Sequence, residues 1–283
     1  MKHVGFVTCA QFPHLTDSDS LTIAPLKDRG IDAEPIIWSS PPPTLNQFDA
    51  IIMRSAWDYH LHPHEFIHWL NTLKENNIHV FNSVETMLWN SNKNYLFDLA
   101  SKGVSIIPTI KIHSINDAGW QKIKKWSEII IKPVIGASAF GITKLPSNNK
   151  NEVHKTIATL LKVGDVIIQP FMKEIYDGEF SFIFFDKQYS HAMLKTPKAK
   201  DFRTQEDYGA TCIRIHPHQH LIDQSLEMLS LIKDPLLYAR LDAIEVNGSL
   251  QLMELELIEP HLFLEDAPEK AVMFADAILQ ITQ

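Results

Sequence analysis

The chain has 283 residues, 26 Lys and Arg against 34 Asp and Glu, a formal net charge of −8, and 45% hydrophobic and 21% charged residues. This is the balance of a globular chain of one large or about two ordinary domains. It excludes global disorder, and the negative charge argues against a broad nucleic-acid or membrane-binding face. Cys9 and Cys212 are the only cysteines and stand far apart in apolar surroundings, which excludes a disulfide framework and a cysteine-rich zinc site and points to a reducing, cytoplasmic setting. No apolar run approaches the roughly 20 residues that span a bilayer.

In chain order, the apolar run over 4–10 reads as a buried parallel strand. N-cap residues over 17–20 precede an expected helix over 21–29 that Gly30 closes. Strands are expected over 33–38, 48–54 and 79–82, a loop at Pro41-Pro42-Pro43, and a helix over 64–76 from the spacing of Phe66, Ile67, Leu70 and Leu73. Strands alternating with helices imply a small parallel α/β unit with its loops at the strand C-termini. Beyond residue 90 the reading gives a helix over 92–102, a strand over 105–112, a helix over 117–126 and a strand over 128–133. A small-residue loop over 136–141, a helix over 152–162 and a strand over 165–169 complete the middle section. The last third reads as antiparallel. One hairpin turns at Asp186-Lys187 and a stronger one at Asn247-Gly248, the favoured type I′ pair; a helix over 268–281 ends the chain.

The second hairpin carries the clearest chemistry. On a strand, Glu254 and Glu256 point to one face and Leu255 and Leu257 to the other. Asp242 lies on the partner strand, so three carboxylates converge. Two readings stand: a solvated acidic face, or carboxylates that meet a cation, for which an all-oxygen set suits Mg²⁺ bound with phosphates. The neighbouring Arg240 and the apolar continuation over 257–260 weigh against a merely solvated face. Lys132 ends the wholly apolar strand Ile129-Ile130-Ile131, where burial is costly unless an anion is met. The loop over 136–141 lets backbone N–H groups approach phosphates, or is a plain surface turn; it is not a P-loop. Gln169-Pro170-Phe171-Met172 follows an apolar strand, and such side chains either wall a flat heterocycle or belong to the core.

Taken in order, Asn92-Lys93 at a helix start, Ile131-Lys132-Pro133 with its loop, Gln169-Pro170-Phe171-Met172, Gly178-Glu179-Phe180-Ser181, Arg240-Leu241-Asp242 and Met253-Glu254-Leu255-Glu256 resemble the ATP-grasp superfamily of carboxylate–amine ligases, in its glutathione-synthetase-like group. The resemblance covers the whole chain. The run from Arg54 to His60, with 253–264, looks more narrowly like ligases related to the enzyme that closes the D-cycloserine ring.

The resemblance implies an α/β and α+β architecture, an ATP-grasp fold with an N-terminal parallel α/β domain. Its parts would be a substrate-side domain over 1–90, a central subdomain with a lid loop over 91–170, and a C-terminal subdomain with a metal site over 171–283. Lys93 and Lys132 would contact ATP phosphates beneath a lid that includes Ser138. Phe171 and Met172 would line the adenine site with Gln169 at its edge, and Glu179 would hold the ribose hydroxyls. Asp242, Glu254 and Glu256 would hold two Mg²⁺ ions, with Mn²⁺ as a substitute; the family's usual last ligand is Asn, so Glu256 is a departure that adds negative charge. Arg203 and Lys195 would face an acyl phosphate. Arg54 would clamp a substrate carboxylate, with Trp57 and Asp58 contacting an amine, or Arg54 would instead form a structural ion pair with Asp58. Glu259 would be a substrate contact or a helix partner.

The function so implied is ATP-dependent joining of a small-molecule carboxylate to an amine, with no nucleic-acid or membrane partner and with a homodimer as the family's frequent state. Rival readings are a ligase that extends a peptide or protein terminus, a silent ATP-binding module, and a histidine-rich metal binder. For the last, His64 and His68 have a zinc-compatible spacing beside His60 and His62, and His216, His218 and His220 form a second group. With no Cys nearby, exposed polar surface is the better reading of both.

Overall fold

The structure is a computed structural model that describes residues 1–40, 45–115, 120–136, 141–199, 201–205 and 208–282. The expected loop at Pro41-Pro42-Pro43, the start of the helix expected over 117–126, and most of the expected lid, Ser138 included, lie outside the described residues.

The N-terminal part contains β1 (Lys2–Thr8), α1 (Asp17–Ser20), α2 (Ile23–Asp28), β2 (Ile31–Ile37), β3 (Ala50–Ser55), α3 (Pro63–Glu75) and β4 (Val80–Phe81). Its four strands form a parallel sheet in the order β2-β1-β3-β4. Both faces are covered, which is why β1 and β3 read as continuous apolar runs rather than alternating ones. Val7, Ile51 and Met53 pack on Phe66, Leu70 and Leu73 of α3, while Val4, Phe6 and Ile52 pack toward the C-terminal part of the chain. Pro35, which cannot donate to a ladder, is tolerated because β2 is an edge strand. The helix expected over 21–29 forms as α2, and the expected N-cap run over 17–20 is itself a short helix, α1. Thr16 caps α1 by accepting from the Asp19 N–H at 3.1 Å, and Pro25 has no N–H to return to Leu21, so α2 starts at Ile23.

The middle part contains α4 (Val84–Asn90), α5 (Tyr95–Ser101), β5 (Ile110–Ile112), α6 (Trp120–Ile123), β6 (Glu128–Pro133), β7 (Thr143–Pro146), α7 (Lys150–Leu160) and β8 (Val166–Pro170). The strands form an antiparallel sheet in the order β5-β8-β6-β7. The strand expected over 105–112 is split. Pro108 divides it, β5 retains the last three residues, and Ser105 to Ile107 bond elsewhere.

The last part contains β9 (Glu179–Phe185), β10 (Gln188–Thr196), β11 (Thr211–Ile215), α8 (Gln219–Ser230), β12 (Tyr238–Val246), β13 (Ser249–Glu256) and α9 (Lys270–Ile281). Its five strands are antiparallel, in the order β11-β10-β9-β12-β13. Both expected hairpins form. Asn247 and Gly248 have φ of 51° and 80°, and Asp186 and Lys187 have 47° and 58°, the left-handed pair that a two-residue turn between right-twisted strands requires. Phe274 and Ile278 of α9 pack between this sheet and the parallel sheet. α4, α5 and α8 contribute to the core around Phe182, Leu241 and Leu252. Among the described residues, no helix is long and apolar enough to cross a membrane.

His191, on β10, is 3% exposed in this core. A carbonyl only accepts, so Nε2 carries the proton donated to the Leu262 oxygen at 2.9 Å, and Nδ1 accepts from the Ser190 hydroxyl at 3.0 Å. Burial pushes the imidazole down to about 4. The unfolded chain therefore takes up this proton first as pH falls, and stability that is intact above about pH 6.5 is lost on the way to pH 4, by roughly 3 kcal/mol. Urea melts across that window should show His191→Gln losing much less stability than the parent. Equal losses in the two proteins would refute this account of acid sensitivity.

Candidate active site

The site is built on the β12–β13 pair. The register sets Arg240 opposite Glu256 and Asp242 opposite Glu254, with a bulge immediately after Asp242. Opposed residues share a face, and so do residues two apart. All four side chains therefore stand on one face. Arg240 reaches Asp242 through Nη2 at 2.9 Å and Nε at 3.1 Å, and its Nη2 also donates to Glu256. The Ser181 hydroxyl donates to Asp242. Although burial works against it, Arg240 and Lys195 hold the Asp242 carboxyl below the usual range. Burial raises Glu256, and Asp242 and Glu254 reinforce that rise against the pull of Arg240.

The outer edge of β13 is closed by groups far back in the chain. Asn90 donates to the Leu255 carbonyl at 2.8 Å and accepts from the Leu257 N–H at 2.8 Å. The Tyr95 hydroxyl accepts from the Leu255 N–H at 3.0 Å. The Ser105 carbonyl accepts from the Leu252 N–H, whose own carbonyl accepts from Ile107. A strand edge that would otherwise be open is thus paired along the stretch that carries Glu254.

Two lysines face these carboxylates. Lys93, just ahead of α5, donates to Glu254 at 2.7 Å and to the Gly136 carbonyl at 2.7 Å. Lys132, at the end of β6, is 6% exposed and makes no ion pair among the described residues. Burial pushes its ammonium down to about 8, against the pull of Glu254. A cation buried without a partner is the arrangement expected where a ligand supplies the anion. Between the lysines and the carboxylate face lies a cavity of about 420 Å³, within the usual range for a small-molecule site.

One wall of the cavity is apolar. Phe171 and Met172 pack on Ile107, Ile175 and Ile244, and the Lys144 ammonium sits 3.4 Å from the Phe171 ring centroid. Gln169 donates to the Thr109 hydroxyl at 2.9 Å. The side chains expected either to wall a flat heterocycle or to belong to the core thus pack on a small apolar cluster and line the cavity. Their partners Ile107, Ile244 and Lys144 were not identifiable beforehand, because no local pattern links residues so far apart in the chain.

The hairpin register sets Lys195 directly opposite Glu179, with Nζ to Oε1 at 2.5 Å and Asp242 at 3.5 Å. Thr204 donates to the other Glu179 oxygen at 2.7 Å. Gly178 has φ of +120°, and a Cβ there would meet Leu194 at 2.5 Å, so only glycine lets the chain enter β9 at this angle. Arg203 lines the cavity, stacks at 3.6 Å over Tyr208 and pairs with Asp201 at 2.7 Å.

Arg54 departs from its expected place. It is 1% exposed, donates to Asp19 at 2.9 Å and to the Pro260 carbonyl at 3.0 Å, and lies 5.0 Å from the Tyr238 ring centroid. Its fork is fully used inside the core, and it is not among the residues lining the cavity. Asp58 is neither its partner nor a cavity residue; it accepts from Trp38 at 2.6 Å. The ion pair is with a residue 35 positions earlier, beyond the reach of local pattern.

Asp242, Glu254 and Glu256 offer the oxygen donors a hard cation takes together with phosphate oxygens. As the side chains lie, no three His, Cys, Asp or Glu among the described residues form one metal-ligating group; each of the three carboxylates pairs with Arg240 or Lys93. By donor chemistry and charge the residues fit Mg²⁺.

Comparison with known proteins gives a consistent result. Residues 99–264, more than half of the chain, match the family described as prokaryotic glutathione synthetase, ATP-grasp domain. Residues 4–82 match the N-terminal domain of D-cycloserine synthetase DcsG. The chain is 28% identical over 278 residues to the cycloserine biosynthesis protein DcsG of Streptomyces lavendulae, covering 89% of each. The crystal structure of D-cycloserine synthetase DcsG is similar with a TM-score of 0.86 at 22% identity, covering 99% of this chain and 100% of that one. A D-alanine–D-alanine ligase from Bacillus anthracis complexed with ATP is similar with a TM-score of 0.71 at 15% identity, covering 100% and 97%.

Proposed function

The chain belongs to the ATP-grasp family of prokaryotic glutathione synthetase and is an ATP-dependent carbon–nitrogen ligase, and from that premise we propose that it activates a small-molecule carboxylate as an acyl phosphate and joins it to an amine. The observation that carries this reading is Lys132, a buried ammonium with no ion pair among the described residues, facing a carboxylate surface across a cavity.

In this reading Lys93 and Lys132 bind the ATP phosphates, and the loop over 136–141, with Ser138, covers them. Phe171 and Met172 hold the adenine, Gln169 reads its edge and Glu179 takes the ribose hydroxyls. Asp242, Glu254 and Glu256 hold Mg²⁺, for which a pair of ions is expected; when bound, the metal supplies charge that offsets the phosphates. A substrate carboxylate oxygen attacks the γ-phosphorus, the bond to the bridging β–γ oxygen breaks, and ADP leaves. Arg203 and Lys195 stabilise the charge on the transferred group. The amine nitrogen then attacks the acyl carbon, the carbon–oxygen bond to phosphate breaks, and the nitrogen loses a proton. Arg54 has no part in these steps and acts as a core residue. The cavity volume supports small substrates, as does the likeness to a cycloserine biosynthesis protein over 89% of both chains.

The test uses hydroxylamine in place of the amine. Pools of amino acids, ureido amino acids and other small carboxylates are incubated with Mg²⁺ and ATP, and hydroxamate is measured against ADP. Hydroxamate equal to the ADP formed, dependent on the carboxylate, is the expected result. ADP without hydroxamate would contradict an acyl phosphate.

A further inference from the structure

Glu259 is 9% exposed and lines the cavity three residues beyond Glu256. Its carboxyl makes no hydrogen bond or ion pair among the described residues, while the cations around it are committed. Arg240 is taken by Asp242, Glu256 and the His261 carbonyl at 3.3 Å. Lys93 is taken by Glu254 and Gly136. The backbone at Glu259 is held, since the Trp57 indole N–H donates to its carbonyl at 2.9 Å. Around it stand aromatic rings. Trp57 meets His261 edge-on at 5.7 Å, and His261 lies 4.3 Å from Phe263, all three lining the same cavity. His261 is taken by Glu265 at 2.8 Å, so a buried carboxylate lining an aromatic-walled space, with Glu254 and Glu256 beyond it, is left without an ion pair among the described residues.

We propose that Glu259 is the specificity-determining acceptor for a primary ammonium group on the substrate, in a subsite walled by Trp57, His261 and Phe263. The ammonium docks against the carboxylate and the Trp57 and Phe263 rings, with His261 held in place by Glu265 at 2.8 Å, and a substrate with a hydroxyl in the same position is rejected because Glu259 then stays unpaired. This rests on the ligase reading and refines it: the role that the sequence offered to Asp58 falls to Glu259.

The test measures binding to the full chain in the presence of Mg²⁺ and a non-hydrolysable ATP analogue. The probes are glycine and the D and L forms of alanine and serine, against glycolate and the D and L forms of lactate and glycerate. Wild type is expected to bind at least one amino acid about tenfold or more tighter than its hydroxy counterpart. Glu259→Gln should lose that preference with nucleotide affinity unchanged within about twofold, and Glu259→Asp should restore part of it. Retained nucleotide binding shows that the variants are folded. An unchanged preference in Glu259→Gln, or no preference in wild type that still binds nucleotide, overturns the proposal and leaves the ligase reading intact. Failure of wild type to bind nucleotide removes both.

Discussion

Replacing Lys132 with Met is expected to abolish ADP formation and at the same time raise stability. In the parent protein this ammonium is buried and burial lowers it from 10.5 to about 8. As pH falls from about 10.5, the unfolded chain binds the proton before the folded one does. The stability lost by pH 8 is on the order of 3 kcal/mol and stays lost below that pH. Methionine has a similar length and no charge, so the variant should unfold at a higher temperature at neutral pH. If Lys132 binds the ATP phosphates as proposed, its loss should reduce turnover about 10²-fold or more. Saturating Mg²⁺ and ATP should raise the unfolding temperature of the parent much more than that of the variant, since ligand linkage follows affinity. A variant that is less stable, or that turns over normally, would mean that Lys132 serves the fold rather than a ligand.

Asp242→Asn should do the opposite to stability while giving the same loss of activity. Asp242 is 3% exposed, accepts from Arg240 and Ser181, and lies 3.5 Å from the Lys195 ammonium. Removing its charge takes from Arg240 and Lys195 the buried carboxylate they share, leaving Arg240 only Glu256 and Lys195 only Glu179. Breaking a buried pair from one side costs about 3–5 kcal/mol, read as a lower denaturant midpoint. The contrast between the two variants is diagnostic. A site built only for structure would lose stability with either change, whereas a site built for an anionic ligand gains it at Lys132. Denaturation of Asp242→Asn at the parent's midpoint would count against the network described here.

Much of this site was legible because strand geometry is strict. Once Asn247-Gly248 is read as a two-residue turn, counting outward sets Asp242 near Glu254, and alternation puts Glu256 on the same face. The same count from Asp186-Lys187 sets Leu194 opposite Glu179; a bulge at Ser190 shifts the register by one and brings Lys195 there instead, which no turn count reveals. β6 occupies the residues expected of it because three isoleucines bounded by Pro133 leave little choice. What was missed depends on distant partners. β7 is four residues with two polar side chains and exists through its pairing with β6. The burial of Arg54 follows from Asp19, and the isolation of Glu259 follows from how Arg240 is used. α8 was detectable, since Leu221, Ile222, Leu226 and Leu229 have helical spacing behind an ordinary loop. α4 was signalled by Ser83, whose hydroxyl accepts from the Thr86 N–H at 3.1 Å.

The side-chain and backbone bonds along the outer edge of β13 tie two stretches of chain about 160 residues apart. A carboxylate on that strand cannot shift without disturbing Asn90 and Tyr95, and a tilt of α4 or α5 carries Glu254 with it. Lys93 sits between those two helices and bonds to that same Glu254. Lys93 and Glu254 are therefore held together, and the Lys93 N–H, which donates to the Val134 carbonyl at 2.8 Å, ties them to the chain just past β6, the strand that carries Lys132. A displacement of β6 that carries Lys132 is therefore expected to pull on Lys93, and through it on Glu254, rather than to leave β13 at rest.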